Sequence, residues 1–273
     1  MRRYTLNPAM PVLLRPDGAV QVGWDPRRAV QVRPPAGLSA AALAELLRTL
    51  QSGATLADLE ARFEVNAGAL VASLVAAGVV TAAERRRSRY ASIRIHGRGP
   101  LSDLLAGALR CSGARVTRSS ITQAAPPETT DLVVLSDFLV TDPRVVRELH
   151  TARVAHLPVR LRDGAGLVGP LVIPGVTSCL GCADLHRSDR DAAWPAVASQ
   201  LRDTVGSADR ATVLATAALA LNQVDRVIRA VRRGDDAGSS AEPPPTLDTS
   251  LEFDVNTGAI VARRWSRHPR CGC

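Results

Sequence analysis

The chain contains no lysine: all 34 of its basic residues are arginine. That absence excludes every site built on an ammonium group, including a P-loop lysine, a Schiff base and a kinase-type Lys–Glu pair. Aromatic residues fill only 3% of the 273 positions, so the core must be assembled from Ala, Val and Leu. Few aromatics also leave little to stack the bases of a single-stranded nucleic acid. Long apolar runs are missing as well. The most apolar stretch, VLATAALALNQV, is followed or broken by Asn222, Asp225 and Arg226, which argues against a membrane span. The opening MRRYTLNPAM lacks the apolar core of a signal peptide. A soluble, cytoplasmic chain with no membrane partner is expected.

The formal charge of +8 raises the question of nucleic acid. Residues 1–90 carry 12 arginines against 7 acids, and the remainder carries 22 against 19. The densest run, Arg85, Arg86, Arg87 and Arg89, reads as a linker face between two domains, 1–88 and 89–273. Nucleic acid is not the expected partner.

The two parts have different rhythms. Residues 12–33 read as short strands around turns, with Pro16-Asp17-Gly18 between apolar runs. Ser39 predicts a helix cap ahead of Leu43, Leu46, Leu47 and Leu50, and Gly53 a stop. Thr55 predicts a second helix with Leu56, Leu59 and Phe63. Asn66 predicts a third with Leu70, Leu74 and Val75, ended by Gly78 and followed by the stub VVTAA. Three short helices among small strands look like a winged helix. From residue 91 strands and helices alternate, as in a parallel sheet covered by helices. ASIRIHG, ARVTRSS, TDLVVLSD, VAHLPVRL and GLVGPLVIPG read as strands. Helices are expected over PLSDLLAGALRCSG and PRVVRELHTA, near 192–205, and over about 208–233. GDDAGSSAEPPPT reads as a loop, and TSLEFDV and AIVARRW as a hairpin turning at Asn256-Thr257-Gly258.

Four of the five cysteines come in two close pairs, Cys179 with Cys182 and Cys271 with Cys273. In a reducing compartment, paired thiols favour a metal over a disulfide. A Cys-x-x-Cys turn presents two thiolates to one side of a Zn²⁺ ion, and Cys-Gly-Cys can complete a tetrahedron. Such a site is structural, because four thiolates leave no open position. Unrelated buried thiols and a redox Cys-x-x-Cys are the competing readings, although a redox pair belongs after the first strand of a thioredoxin-like unit. His186 and His268 lie close enough in sequence to support the ligands or substitute for one. Gly181, Gly272 and Pro269 suit tight turns. Cys111, in an apolar helix, is expected to be core.

IHGRGPLSDLL follows a strand and opens a helix, as a dinucleotide turn does. The match is Gly97-x-Gly99-x-x-Ser102, with Ser in the third place. No acid ends the second strand to hold a ribose, and the next acid is Glu128. Asp137, after the third strand, can face Mg²⁺ or serve as a cap or turn residue ahead of Pro143. Gly97, Gly99 and Asp137 therefore mark a vestigial cofactor site, and ATP is not expected to be well held.

In this order the glycine turn, VVLSDF, GPLVIPGVTSCLGC, a long Ala-rich helix and the closing W-x-x-H-P-x-C-x-C resemble the ThiF/MoeB-type family of ubiquitin-activating-enzyme-like adenylyltransferases. The resemblance covers residues 91–273. It implies a Rossmann-type α/β sheet domain, a structural zinc on Cys179, Cys182, Cys271 and Cys273, and a homodimer. Active members carry an Arg and a Lys between the second and third strands, where this chain has only ITQAAPPETT. It also has no spare cysteine for thioester chemistry. A degenerate domain of this kind behind a small winged helix is similar to the leader-peptide-binding partner of thiazole/oxazole-forming cyclodehydratases. That likeness implies a RiPP recognition element over 1–88, binding a leader or precursor peptide, and a YcaO-type cyclodehydratase as the ATP-using partner. It implies no catalytic residue in this chain. The peptide surface would be the hairpin at 12–33 with the helix at 67–77. Two other readings remain: an ATP-dependent adenylyltransferase activating a sulfur carrier, and a winged-helix DNA-binding regulator.

Overall fold

The computed structural model describes residues 2–84, 89–119, 130–233 and 243–273. The basic run at 85–87, most of the ITQAAPPETT segment with Glu128, and most of the GDDAGSSAEPPPT loop lie outside the described residues. The chain forms two compact units, Met1–Arg87 and Ser88–Cys273.

The first unit comprises β1 (Arg2–Leu6), β2 (Val12–Leu14), β3 (Val20–Val22), β4 (Val30–Val32), α1 (Ala40–Gln51), α2 (Leu56–Phe63), α3 (Gly68–Ala76) and β5 (Val80–Glu84). β2, β3 and β4 form an antiparallel meander, and β1 pairs antiparallel with β5. Ser39 Oγ accepts the Ala42 N–H, and Leu43, Leu46, Leu47 and Leu50 are all fully buried, as the leucine spacing predicts. Thr55 and Asp58 satisfy each other's backbone N–H groups in a capping box. The third helix departs from expectation by one residue. Ala67 is its N-cap and has no side chain to offer, so Asn66 Oδ1 reaches from one position further back to accept the Gly68 N–H. Gly78 ends that helix with φ +72°, and the Val79 N–H reaches back to the Leu74 carbonyl.

The second unit comprises β6 (Ser92–His96), α4 (Pro100–Leu109), β7 (Arg115–Ser119), β8 (Leu132–Ser136), α5 (Pro143–Thr151), β9 (His156–Arg162), β10 (Ala165–Val168), α6 (Leu180–Arg190), α7 (Trp194–Leu201), α8 (Arg210–Arg233), β11 (Thr249–Asp254) and β12 (Ala259–Arg264). The seven-stranded sheet runs β12-β11-β10-β9-β8-β6-β7. Only β7, β6, β8 and β9 are parallel; β10, β11 and β12 add antiparallel, so the sheet is mixed rather than parallel throughout. One face of the sheet packs on α4 and α8 through Ile93, Ile95, Leu157, Val159 and Leu161. On the other face Val133 and Leu135 meet Val145 and Leu149 of α5. α6 is an unexpected helix, because its residues LGCADLHRSDR bury only Leu180, Cys182 and Ala183.

Cys111 is not core. α4 ends at Leu109, and the thiol is exposed in the turn that follows. Among the described residues no helix is long and apolar enough to cross a membrane.

Candidate functional site

β6 and β8 are neighbours, while β7 lies on the far side of β6. The C-terminal ends of β6 and β8 therefore flank a topological switch point, where ligands of open α/β sheets bind. The glycine turn follows β6 and Asp137 follows β8, so the fold brings Gly97, Gly99 and Asp137 together. Asp137 Oδ1 accepts the Leu101 N–H at 2.9 Å and Oδ2 the Ser102 N–H at 3.3 Å. Those donors belong to the first turn of α4, the position that attracts phosphate in nucleotide folds. A carboxylate of the chain itself stands where an external anion would be received. Asp137 is buried, with φ +73°, and its backbone is fixed by a bond from its own N–H to the Val159 carbonyl and another from the Gly206 N–H.

The two glycines serve that carboxylate. A Cβ on Gly97 would overlap Ser136, and one on Gly99 would lie 2.8 Å from Asp137 Oδ1. Gly99 is extended, with φ 166°, and neither glycine lies in the left-handed region, so the requirement is space and not backbone freedom. Ser102, in the third glycine's place, is also fully buried. Its hydroxyl accepts the Gly99 N–H at 3.0 Å and donates to the Gly99 carbonyl at 2.8 Å.

The four paired cysteines converge at the N-terminal end of α6. Cys179 is the helix N-cap, its Sγ accepting the Cys182 N–H at 3.4 Å, so one helical turn sets the spacing of the first pair. Past the β11–β12 hairpin, the Cys271 N–H bonds the His268 carbonyl across a turn containing Pro269, which aims the last two thiols back at α6. Sγ–Sγ distances are 3.8 Å for Cys179–Cys182 and 3.5 Å for Cys179–Cys271 and Cys182–Cys273, and all four sulfurs lie within 4.8 Å of one another. A disulfide needs about 2.05 Å. Four thiolates about 2.3 Å from a tetrahedral ion stand about 3.8 Å apart, so the cluster fits a metal ion. Burial pushes the Cys179 thiol up. Burial opposes ionisation of Cys182 too, but backbone groups of His268 and Cys179 and the neighbouring thiols outweigh it and bring it to about 7. Gly181 and Gly272 are not sterically required. A Cβ on Gly181 would make ordinary contacts with two sulfurs, and one on Gly272 would meet open space.

The four-sulfur cluster includes neither histidine. Buried His268 bonds Asp189 Oδ2 through Nε2 at 2.8 Å and accepts the Arg270 N–H through Nδ1, while His186 Nε2 bonds the Ser266 carbonyl. Asp189 also pairs with the Arg270 guanidinium. The hydrogen bond from His268, with the charge of Arg270, holds the Asp189 carboxyl below its usual range. This clamp fastens the C-terminal segment to α6 beside the thiols. Sequence spacing does not reveal it, because Asp189 sits in a helix with no apolar stripe to announce it.

No family model and no curated protein matches the chain. Solved structures do. A heterocyclase in complex with substrate and cofactor matches with TM-score 0.70 at 14% identity, over 100% of this chain and 39% of its own. The heterocyclase TruD matches with TM-score 0.69 at 17% identity, over 100% and 42%. The E. coli protein MccB with ATP matches with TM-score 0.59 at 13% identity, over 99% of both chains. The chain thus spans about two-fifths of the heterocyclases and the whole length of MccB. It shares their ThiF/MoeB-like fold.

Proposed function

We propose that this chain is a non-catalytic scaffold that binds the leader of a precursor peptide and presents it to a separate YcaO-type cyclodehydratase. The observation that carries the reading is the Asp137 carboxylate on the first turn of α4, which closes the phosphate position of the fold. The similar structures lend it context: two are heterocyclases, and MccB is the microcin C7 biosynthetic enzyme seen with N-formylated MccA. Four thiolates select a soft tetrahedral ion, so the metal is a structural zinc on Cys179, Cys182, Cys271 and Cys273.

The first unit supplies the peptide surface as a winged-helix recognition element. Among the described residues β2 and β4 each have one strand neighbour, β3, so either outer edge is a candidate to take an added strand, β4 the more open because Arg48 bonds the Val12 carbonyl on β2. Leu14 at 56% and Trp24 at 80% exposure, with Leu13, offer apolar contacts on it, and Val75 does so on α3. The excess of arginine over acid in residues 1–90 favours an acidic leader.

The similarity to MccB with ATP supports a second reading, an ATP-dependent adenylyltransferase. Anisotropy of a fluorescein-labelled precursor peptide, taken from a reading frame beside this one, separates the two. The scaffold reading expects saturable binding that Leu14→Glu weakens, and no pyrophosphate exchange. Exchange without peptide binding would overturn it.

A further inference from the structure

The second unit holds a cleft of about 420 Å³ on the sheet face opposite α8, in the size range of small-ligand sites. Leu139, Val146, Leu167, Leu180, Trp194 and Trp265 give it apolar walls. Arg147, Arg160, Arg162 and Arg187 also line it, against Asp163 and Asp184.

The charges there are unequally matched. Arg187 pairs with Asp184 at 2.9 Å, and Arg162 with Glu252 at 3.4 Å. Half-buried Arg160 makes no ion pair among the described residues; its Nη1 donates to the Leu139 carbonyl at 2.6 Å. Burial, with Arg187 nearby, pulls its guanidinium down to about 10, the sign of a cation short of a counter-charge. A buried charge is costly until paired.

The walls are held in place before any ligand arrives. The Arg187 guanidinium lies between two indoles, 5.0 Å from the Trp194 ring centre and 5.4 Å from that of Trp265. Trp194 Nε1 donates to Asp184 at 3.2 Å and Trp265 Nε1 to Ser250 at 2.9 Å.

We propose that this cleft binds a carboxylate carried beside an apolar side chain, with Arg160 receiving the charge and the two tryptophans the hydrocarbon. Exposed Arg147 likewise makes no ion pair among the described residues, so burial singles out Arg160 as the receiver of the charge, and its planar fork matches a carboxylate. The carboxylate is either a peptide C-terminus or an acidic side chain. The inference concerns the second unit alone and does not depend on what the first unit binds.

Two of the chain's three tryptophans line the cleft, so their fluorescence reports occupancy. The 273-residue protein is titrated with N-acetyl-leucyl-leucine, with its C-terminal amide, and with N-acetyl-leucyl-glutamate amide. A saturable change with either acid, at least about tenfold weaker with the neutral amide, is the expected result. Which acid binds more tightly identifies the source of the carboxylate. Arg160→Gln should remove the response, and the acid-against-amide comparison on the unsubstituted protein stands even if that variant fails to fold. Equal responses to acid and amide, or none, would overturn the proposal. So would a change with protein concentration alone that tracks dimer formation in light scattering, which would give the cleft to a second copy of the chain.

Discussion

Asp137 Oδ1 lies 2.9 Å from the Leu101 nitrogen, a hydrogen bond spanning 36 residues that joins the end of β8 to the start of α4. A nucleotide fold keeps such N–H groups for phosphate. Here they are satisfied from within, and Gly97 and Gly99 give the carboxylate its room. The glycine turn thus has a structural use without any nucleotide.

Asp137→Ala leaves two N–H groups of the first turn of α4 without their partner, at about 1–3 kcal/mol for each donor that stays unsatisfied. Thermal denaturation should show the loss, and added sulfate should restore more stability to the variant than to the original protein. Equal sulfate responses would mean that the carboxylate is not holding an anion position. Gly99→Ala should also destabilise, because its Cβ would press on the same carboxylate.

The thiol cluster predicts one zinc per chain by elemental analysis. Cys271→Ser should lose the metal and, with it, the fastening of the C-terminal segment. A loss of several kcal/mol would lower the melting temperature of a unit this size by roughly 10 °C. Full zinc content in Cys271→Ser would contradict the four-thiolate site.

His156 sets a pH dependence. Burial lowers its value from 6.5 to about 4, the charge of His150 adds to this, and the bond to the Val154 carbonyl opposes it. Above pH 6.5 the imidazole is neutral in both states and contributes nothing. Between 6.5 and about 4 the unfolded chain takes up the proton first, so stability falls as pH falls, by on the order of 3 kcal/mol in full. His150, also lowered by burial, acts in the same direction. Guanidinium melts at pH 7 and pH 5 should show the decline, and His156→Leu should flatten it. Constant stability over that interval would contradict the assignment.

What was legible in the sequence was local. The cap of Ser39 with its four buried leucines follows from spacing alone, and the two close cysteine pairs mark residues that the fold gathers into one cluster. β1 carries no signal in the sequence, because RRYTL is short and its partner is remote, with Leu6 opposite Val80. α6 leaves no apolar periodicity to read, because it buries only its first turn. The apolar rhythm of α4 runs up to Cys111 and predicts core there, yet the helix stops at Leu109. The role of Asp137 depends on a sheet crossover that sets β8 beside β6, so its spacing in sequence carries no trace of that contact.

The most direct test of the account is calorimetry of Mg-ATP with zinc-loaded protein. With Asp137 in the phosphate position, no binding heat is predicted at millimolar nucleotide. Saturable heat with one nucleotide per chain would contradict it, showing that the carboxylate gives way and that arginines have rebuilt the site.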